Sequence, residues 1–86
     1  MSKRQHQLDL HPIAHSGQRI EEALHKYFDQ AVAARASSLE IITGKGTGQL
    51  KKRVLKFLAR PEVRSKYHRI EKDQHNHGRL FVHFRW

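Results

Sequence analysis

Apolar and polar positions alternate along this chain with two different periods. Residues 7–11, Gln-Leu-Asp-Leu-His, alternate with period two, so Leu8 and Leu10 share one side of a strand and Asp9 and His11 the other. Pro12 cannot donate to a sheet ladder and closes that strand. The period then becomes helical: Ile20, Leu24, Tyr27 or Phe28, Ala31 and Val32 fall on one face of a helix reaching about Arg35. His15 or Ser16 is its expected N-cap, and Glu21 and Glu22 sit where the positive end of the helix favours acids. Ser37 and Ser38 break the helix, and Leu39 to Ile42 read as a second strand. Thr43-Gly44-Lys45-Gly46-Thr47-Gly48 is a glycine-rich turn. A second helix is predicted over residues 49–60, with Leu50, Val54, Phe57 and Leu58 as its apolar stripe and Pro61 as its end. Residues 67–72, around Ile70, form a third strand and Asp73 to Gly78 a turn. Residues 79–86 form a fourth, with Leu80, Val82, Phe84 and Trp86 on one face and Phe81, His83 and Arg85 on the other.

The order βαβαββ predicts an α/β two-layer sandwich: a four-stranded mixed sheet with two helices on one face and an open, polar face opposite. Helical crossovers imply parallel pairing of the first strand with the second and of the second with the third, the fourth adding by an antiparallel hairpin. Eighty-six residues make one small domain, read as a basic tail over residues 1–6 and a folded unit over 7–86.

The absence of cysteine removes disulfides, thiol nucleophiles and cysteine-containing zinc sites from consideration. No apolar run reaches the roughly 18 residues of a membrane span, and the first residues lack the apolar core of a signal peptide. A cytoplasmic monomer without membrane contact is the expectation. Charge narrows the function further. Residues 1–43 carry five Lys/Arg and five Asp/Glu, whereas residues 44–86 carry twelve and three, so the second half holds the whole net charge of +9. Clustered cations without intervening acids suit a polyanion such as nucleic acid or the ribosome, because each neutralised phosphate releases a condensed counterion. Lys52, Lys56 and Arg60 recur at i, i+4 and i+8 and line one basic stripe of the second helix.

Two short segments carry candidate chemistry. Gly44, Gly46 and Gly48 allow close backbone approach at the start of the second helix, beside Lys45, which suits a phosphate. The P-loop pattern is missing, so ATP is not expected. Asp9 and His11 lie at the carboxyl end of the first strand, the side on which open α/β sheets bind ligands. A histidine beside a carboxylate suits general acid–base work, with Asp9 orienting the imidazole or holding a divalent metal such as magnesium or manganese. Spacing alone favours a plainer account, in which Asp9 caps a loop and His11 bonds to backbone. The remaining histidines, including His75 and His77, lack the spacing of a zinc site, and Asp9, Glu40 and Asp73 do not make an evident two-metal cluster.

Leu8-Asp9-Leu10-His11 followed by Ile41-Ile42-Thr43-Gly44-Lys45-Gly46-Thr47-Gly48, with a helix between and a basic helix after, resembles the small MutS-related (Smr) domain. The resemblance covers about residues 7–86. That family opens on Leu-Asp-Leu-His-Gly and carries a His/Thr-Gly-x-Gly-x-Gly turn after its second strand. Here Pro12 stands in place of the glycine, which removes one backbone N–H. The resemblance implies binding to structured or branched nucleic acid and endonucleolytic cleavage of DNA or RNA, including messenger RNA on ribosomes. It places catalysis on Asp9 and His11. Contacts to nucleic acid fall to Thr43, Gly44, Lys45, Gly46, Thr47, Gly48, Lys52, Lys56 and Arg60. A non-catalytic nucleic-acid or ribosome binding module and a protein-interaction domain are the competing readings.

Overall fold

Burial along the strands shows which side of the sheet is covered. In the computed structural model, which describes residues 5–44, 48–73 and 78–84, strands β1 (Gln5–Asp9), β2 (Ser38–Ile42), β3 (Tyr67–Lys72) and β4 (Arg79–Phe84) form one sheet in the order β1-β2-β4-β3. Leu8, Leu39, Ile41, Leu80, Val82 and Phe84 are buried on one face. The helices α1 (Gly17–Ala33) and α2 (Gln49–Leu58) close over that face with Ile20, Leu24, Phe28, Val54, Phe57 and Leu58, in a single hydrophobic cluster. Phe28 joins the layers, its ring centroid lying 6.0 Å from that of Phe57 and 5.5 Å from that of Phe84. The other face carries Gln7, Asp9, Glu40, Phe81, His83 and Glu71 and is the open polar side that period-two patterning predicts.

The pairing differs from expectation in one respect. β1 and β2 pair in parallel, but β2 and β3 do not pair; β4 lies between them, antiparallel to both. The reason is in the side chains. β3 carries His68, Arg69, Glu71 and Lys72 exposed, with a register irregularity between Tyr67 and Arg69, which suits an edge. β4 buries Leu80, Val82 and Phe84 completely enough to take an interior position.

Boundaries shift as well. β1 begins at Gln5 and ends at Asp9, so His11 falls beyond the strand, in a 3-10 turn over His11–Ile13. Ser16 is the N-cap of α1, its hydroxyl accepting the Arg19 N–H at 3.2 Å. The helix stops at Ala33, before Ser37 and Ser38, because Arg35 takes a left-handed φ of 54°. Pro61 ends nothing here; it opens a four-residue helix α3 (Pro61–Arg64), a position where its missing N–H costs no hydrogen bond. Buried Tyr67 donates its hydroxyl to the Leu58 carbonyl at 2.8 Å and so satisfies an orphan acceptor at the end of α2, while burial raises its pKa. The expected continuation of β4 over Arg85 and Trp86 and the turn around His75 and His77 lie outside the described residues.

Helix α1 is also tied across the surface to the junction between α2 and α3. Arg60 forks onto Glu21 with bonds of 2.6 and 3.1 Å, lies 3.3 Å from His25 Nε2 and sits over the Phe57 ring. The Arg60 hydrogen bond holds the Glu21 carboxyl below its ordinary value of 4.5; burial acts in the opposite sense, and His25 adds to the lowering. A carboxyl whose pKa falls on folding stabilises the native state above its unfolded value and stops doing so as pH drops through the folded one. Glu21→Gln should therefore be less stable than the parent at neutral pH, and the two urea midpoints should converge as pH falls below 4.5 through the lowered folded value. A gap that stays constant down to pH 3 would show that charge at Glu21 does not stabilise the fold.

Candidate functional site

The carboxyl ends of β1 and β2 are drawn together by backbone bonds. Leu10 N–H donates to the Ile42 carbonyl at 2.9 Å, which carries the parallel pairing one step past β1. The chain then folds into the 3-10 turn, with Pro12 near its start, where no partner is needed for the missing N–H. Asp9 Oδ1 accepts the backbone N–H of His11 at 2.9 Å. The described contact of this carboxylate is thus with the backbone of His11, and Asp9 shapes the turn that presents the ring. Both residues are exposed.

After β2, the N–H groups of Thr43 and Gly44 both donate to the Gly78 carbonyl, at 2.6 and 3.0 Å. Thr43 is only 5% exposed, its hydroxyl 3.4 Å from the Gly44 carbonyl, so its side chain braces the turn. Gly44 has φ +80°, and a β-carbon there would lie 3.1 Å from His11 Cδ2. The imidazole therefore rests on the bare α-carbon of Gly44: the two sequence motifs meet at this contact. Lys45, Gly46 and Thr47 lie outside the described residues. Gly48, exposed at φ +89°, is the N-cap of α2 and supplies no capping side chain. The first N–H groups of α2 thus get no side-chain cap from it, an arrangement that favours an anion.

A cleft of about 360 Å³ opens at this junction, bordered by His11, Thr43, Gly44, Gly48, Lys51 and Arg53. Lys51 and Arg53 were not anticipated from the sequence, which drew attention to the stripe through Lys52. Their signal was available in Lys51-Lys52-Arg53, the first turn after the glycines, where cations on several faces of the helix lie close to its start. The Arg53 guanidinium lies 3.2 Å from where a Gly17 β-carbon would stand, so the absence of a side chain there makes room for it. Lys52 and Lys56 are exposed along a shallow groove on α2 with Leu55 and Ala59. Arg60 points instead to Glu21.

His11 also borders a second cleft of about 410 Å³ on the open sheet face, with Gln7, Asp9, Glu40, Ile42 and Arg79. Glu40, 8% exposed, accepts from Gln7 Nε2 at 3.2 Å and from Arg79 at 3.0 Å. Arg79 Nε donates to Asp73 at 2.7 Å, and these two carboxylates, Asp73 foremost, raise the Arg79 pKa. His83 Nε2 lies 2.8 Å from Glu71. Among the described residues no three His, Asp or Glu side chains converge as a metal site would require, and the carboxylates of this cleft are already engaged by an N–H, an amide or a guanidinium. Among the described residues, too, no helix is long and apolar enough to cross a membrane.

Known proteins resemble this chain in fold and in sequence. The fold matches the crystal structure of the Smr domain of Thermus thermophilus MutS2 with a TM-score of 0.72 at 20% identity, over 96% of this chain and 99% of that one. In sequence, the chain is 49% identical over 53 residues to Endonuclease MutS2 of Halalkalibacterium halodurans, spanning 57% of this chain and 7% of that protein. It is 44% identical over 55 residues to Endonuclease MutS2 of Agathobacter rectalis, 60% of this chain and again 7% of that protein. The matches thus cover a small part of those relatives' length. The Smr domain family model matches residues 8–85, from the strand that leads into His11 to the end of β4, and the chain belongs to the Smr domain family.

Proposed function

We propose that this domain binds nucleic acid through the cleft at the start of α2 and cleaves its phosphodiester backbone with His11. The observation that carries the reading is the placement of an exposed imidazole against Gly44, at the mouth of a cleft that also holds Lys51, Arg53 and the N-terminus of α2. A scissile phosphate in that cleft meets cations and backbone N–H groups suited to the extra negative charge of a pentacovalent transition state. With RNA, His11 takes the 2′-hydroxyl proton as the 2′-oxygen attacks phosphorus. The bond to the 5′-oxygen breaks, the leaving oxygen takes a proton from solvent, and a 2′,3′-cyclic phosphate and a 5′-hydroxyl result. With DNA the same base deprotonates a water that attacks phosphorus, one ester P–O bond breaks, and the departing oxygen takes a proton from solvent. Asp9 holds the turn and Gly44 the ring. Lys52 and Lys56 extend the contact along α2 to neighbouring phosphates. The name Endonuclease borne by the two relatives supports this reading.

Incubation with labelled single-stranded RNA, duplex DNA and branched DNA, with and without EDTA, tests turnover. Cleavage of RNA that survives EDTA and leaves cyclic phosphate ends is the expected result. Absence of cleavage on every substrate would favour the binding module, a reading to which the engagement of Asp9 with backbone already lends weight. Binding itself is checked by salt. Lys51→Ala with Arg53→Ala should flatten the slope of log affinity against log salt by about two units, if each meets one phosphate. Arg60→Ala should leave that slope unchanged, since Glu21 already holds this guanidinium.

A further inference from the structure

The second cleft differs from the first in charge and in shape. Asp9, Ile42 and Arg79 form one cross-strand row on the open sheet face; Gln7, Glu40, Phe81 and Glu71 form the next. Arg79 sits among them with its guanidinium carbon 5.4 Å from the centroid of the Phe81 ring. Its donors are held on two sides, by Glu40 Oε2 at 3.0 Å and Asp73 Oδ2 at 2.7 Å, while its side chain remains 39% exposed. A guanidinium held in this way is a fixed plane. Two carboxylates engage it and Asp9 stands nearby, so this cleft repels phosphate although it contains an arginine. Its volume of about 410 Å³ lies within the roughly 300–1,000 Å³ of small-molecule sites.

We infer that this cleft takes an unpaired nucleobase, stacked on the face of the Arg79 guanidinium turned away from the Phe81 ring that backs it, from the nucleotide next to the phosphate in the first cleft. The inference rests on the phosphate reading of that first cleft. His11 borders both spaces, so a backbone passing over it leaves a phosphate on one side and a base on the other. Guanidinium planes and aromatic rings stack on bases of any sequence. A base within a duplex has both faces stacked and its Watson–Crick edge paired, so the substrate is single-stranded or locally unpaired at this nucleotide. Exposed Asp9 and Gln7, which border the cleft, offer acceptors to the base edge and favour bases with an exocyclic amino group over uracil.

Fluorescence anisotropy with labelled oligo-A, oligo-C and oligo-U RNA, the corresponding DNA single strands and a blunt duplex tests this at two salt concentrations. Arg79→Lys keeps the charge and loses the plane; Phe81→Leu keeps the apolar volume and loses the ring. Each should weaken single-strand binding about fivefold or more while duplex affinity and salt slope stay as in the parent. Thermal melting identifies a variant that has not folded, and the other variant then decides. Single-strand affinities within about twofold of the parent in the folded variants would overturn the inference, as would a parent that prefers oligo-U. Failure of the phosphate reading looks different: Lys51→Ala with Arg53→Ala would leave every affinity and every salt slope unchanged. A parent that binds no nucleic acid would remove both readings.

Discussion

Replacing His11 with alanine is expected to abolish cleavage while leaving nucleic-acid affinity within a few-fold of the parent. The imidazole is exposed at the border of two clefts, and no described cation depends on it for its position. Loss of a general base costs roughly 10²–10⁴ in rate, whereas affinity is set by phosphates meeting Lys51, Arg53 and the lysines of α2. Single-turnover kinetics on ribonuclease-free protein measure the first effect and salt-resolved titration the second. Asp9 gives a finer test. Its carboxylate accepts the His11 N–H, and an asparagine oxygen can accept the same bond. Asp9→Asn should therefore keep most of the rate, and Asp9→Ala should lose much of it. Full-rate cleavage in His11→Ala would remove the histidine from the chemistry. An Asp9→Asn variant as inactive as Asp9→Ala would show that the carboxylate charge acts directly.

The second large effect concerns a pair of glycines with nearly the same backbone. Gly44 and Gly48 have φ of +80° and +89°, so alanine at either position costs about 1–2 kcal/mol of stability through its β-carbon alone. Their surroundings differ. At Gly44 the new carbon meets His11 Cδ2 at 3.1 Å and the ring must move, while at Gly48 nothing described lies within 4 Å. Gly44→Ala should thus lose stability and at least about tenfold in turnover, since small displacements of a catalytic group are costly. Gly48→Ala should lose similar stability and keep its turnover. Equal rates in the two variants would mean that the ring's seat on Gly44 does not matter to the chemistry.

Much of this arrangement could be read from the chain. The alternation of Leu8 and Leu10 and of Leu80, Val82 and Phe84 marks the covered face, and the spacing of Ile20, Leu24 and Phe28 marks the helix that covers it. The two motifs meet, through His11 and Gly44, where the order of elements required. What escaped depends on contacts between distant segments. The insertion of β4 beside β2 is decided by competition between two strands for an interior place, which neither pattern expresses alone. Arg60 continues the stripe of Lys52 and Lys56 in sequence, but its partner Glu21 lies 39 residues away on another helix. The place of Arg53 is not legible in the sequence because it depends on Gly17, which marks a gap only once α1 and α2 are side by side. Helix α3 is short, and Pro61 reads as an end or a beginning with equal ease.

The interior place of β4 has a consequence for how the protein is made. β1, α1 and β2 form a parallel unit whose strand pairing can be made early in synthesis. The far edge of β2 then stays unpaired while α2, α3 and β3 emerge, and β3 has no neighbour until the hairpin turns back. The fourth strand in chain order joins both halves at once, pairing with Leu39 and Ile41 on one side and Ile70 on the other. The sheet thus closes in a single late event, and until then two open edges and the apolar side of β2 are exposed. A nascent chain paused before Arg79 would present that surface to its neighbours, so ribosome pausing in this stretch should favour aggregation over folding.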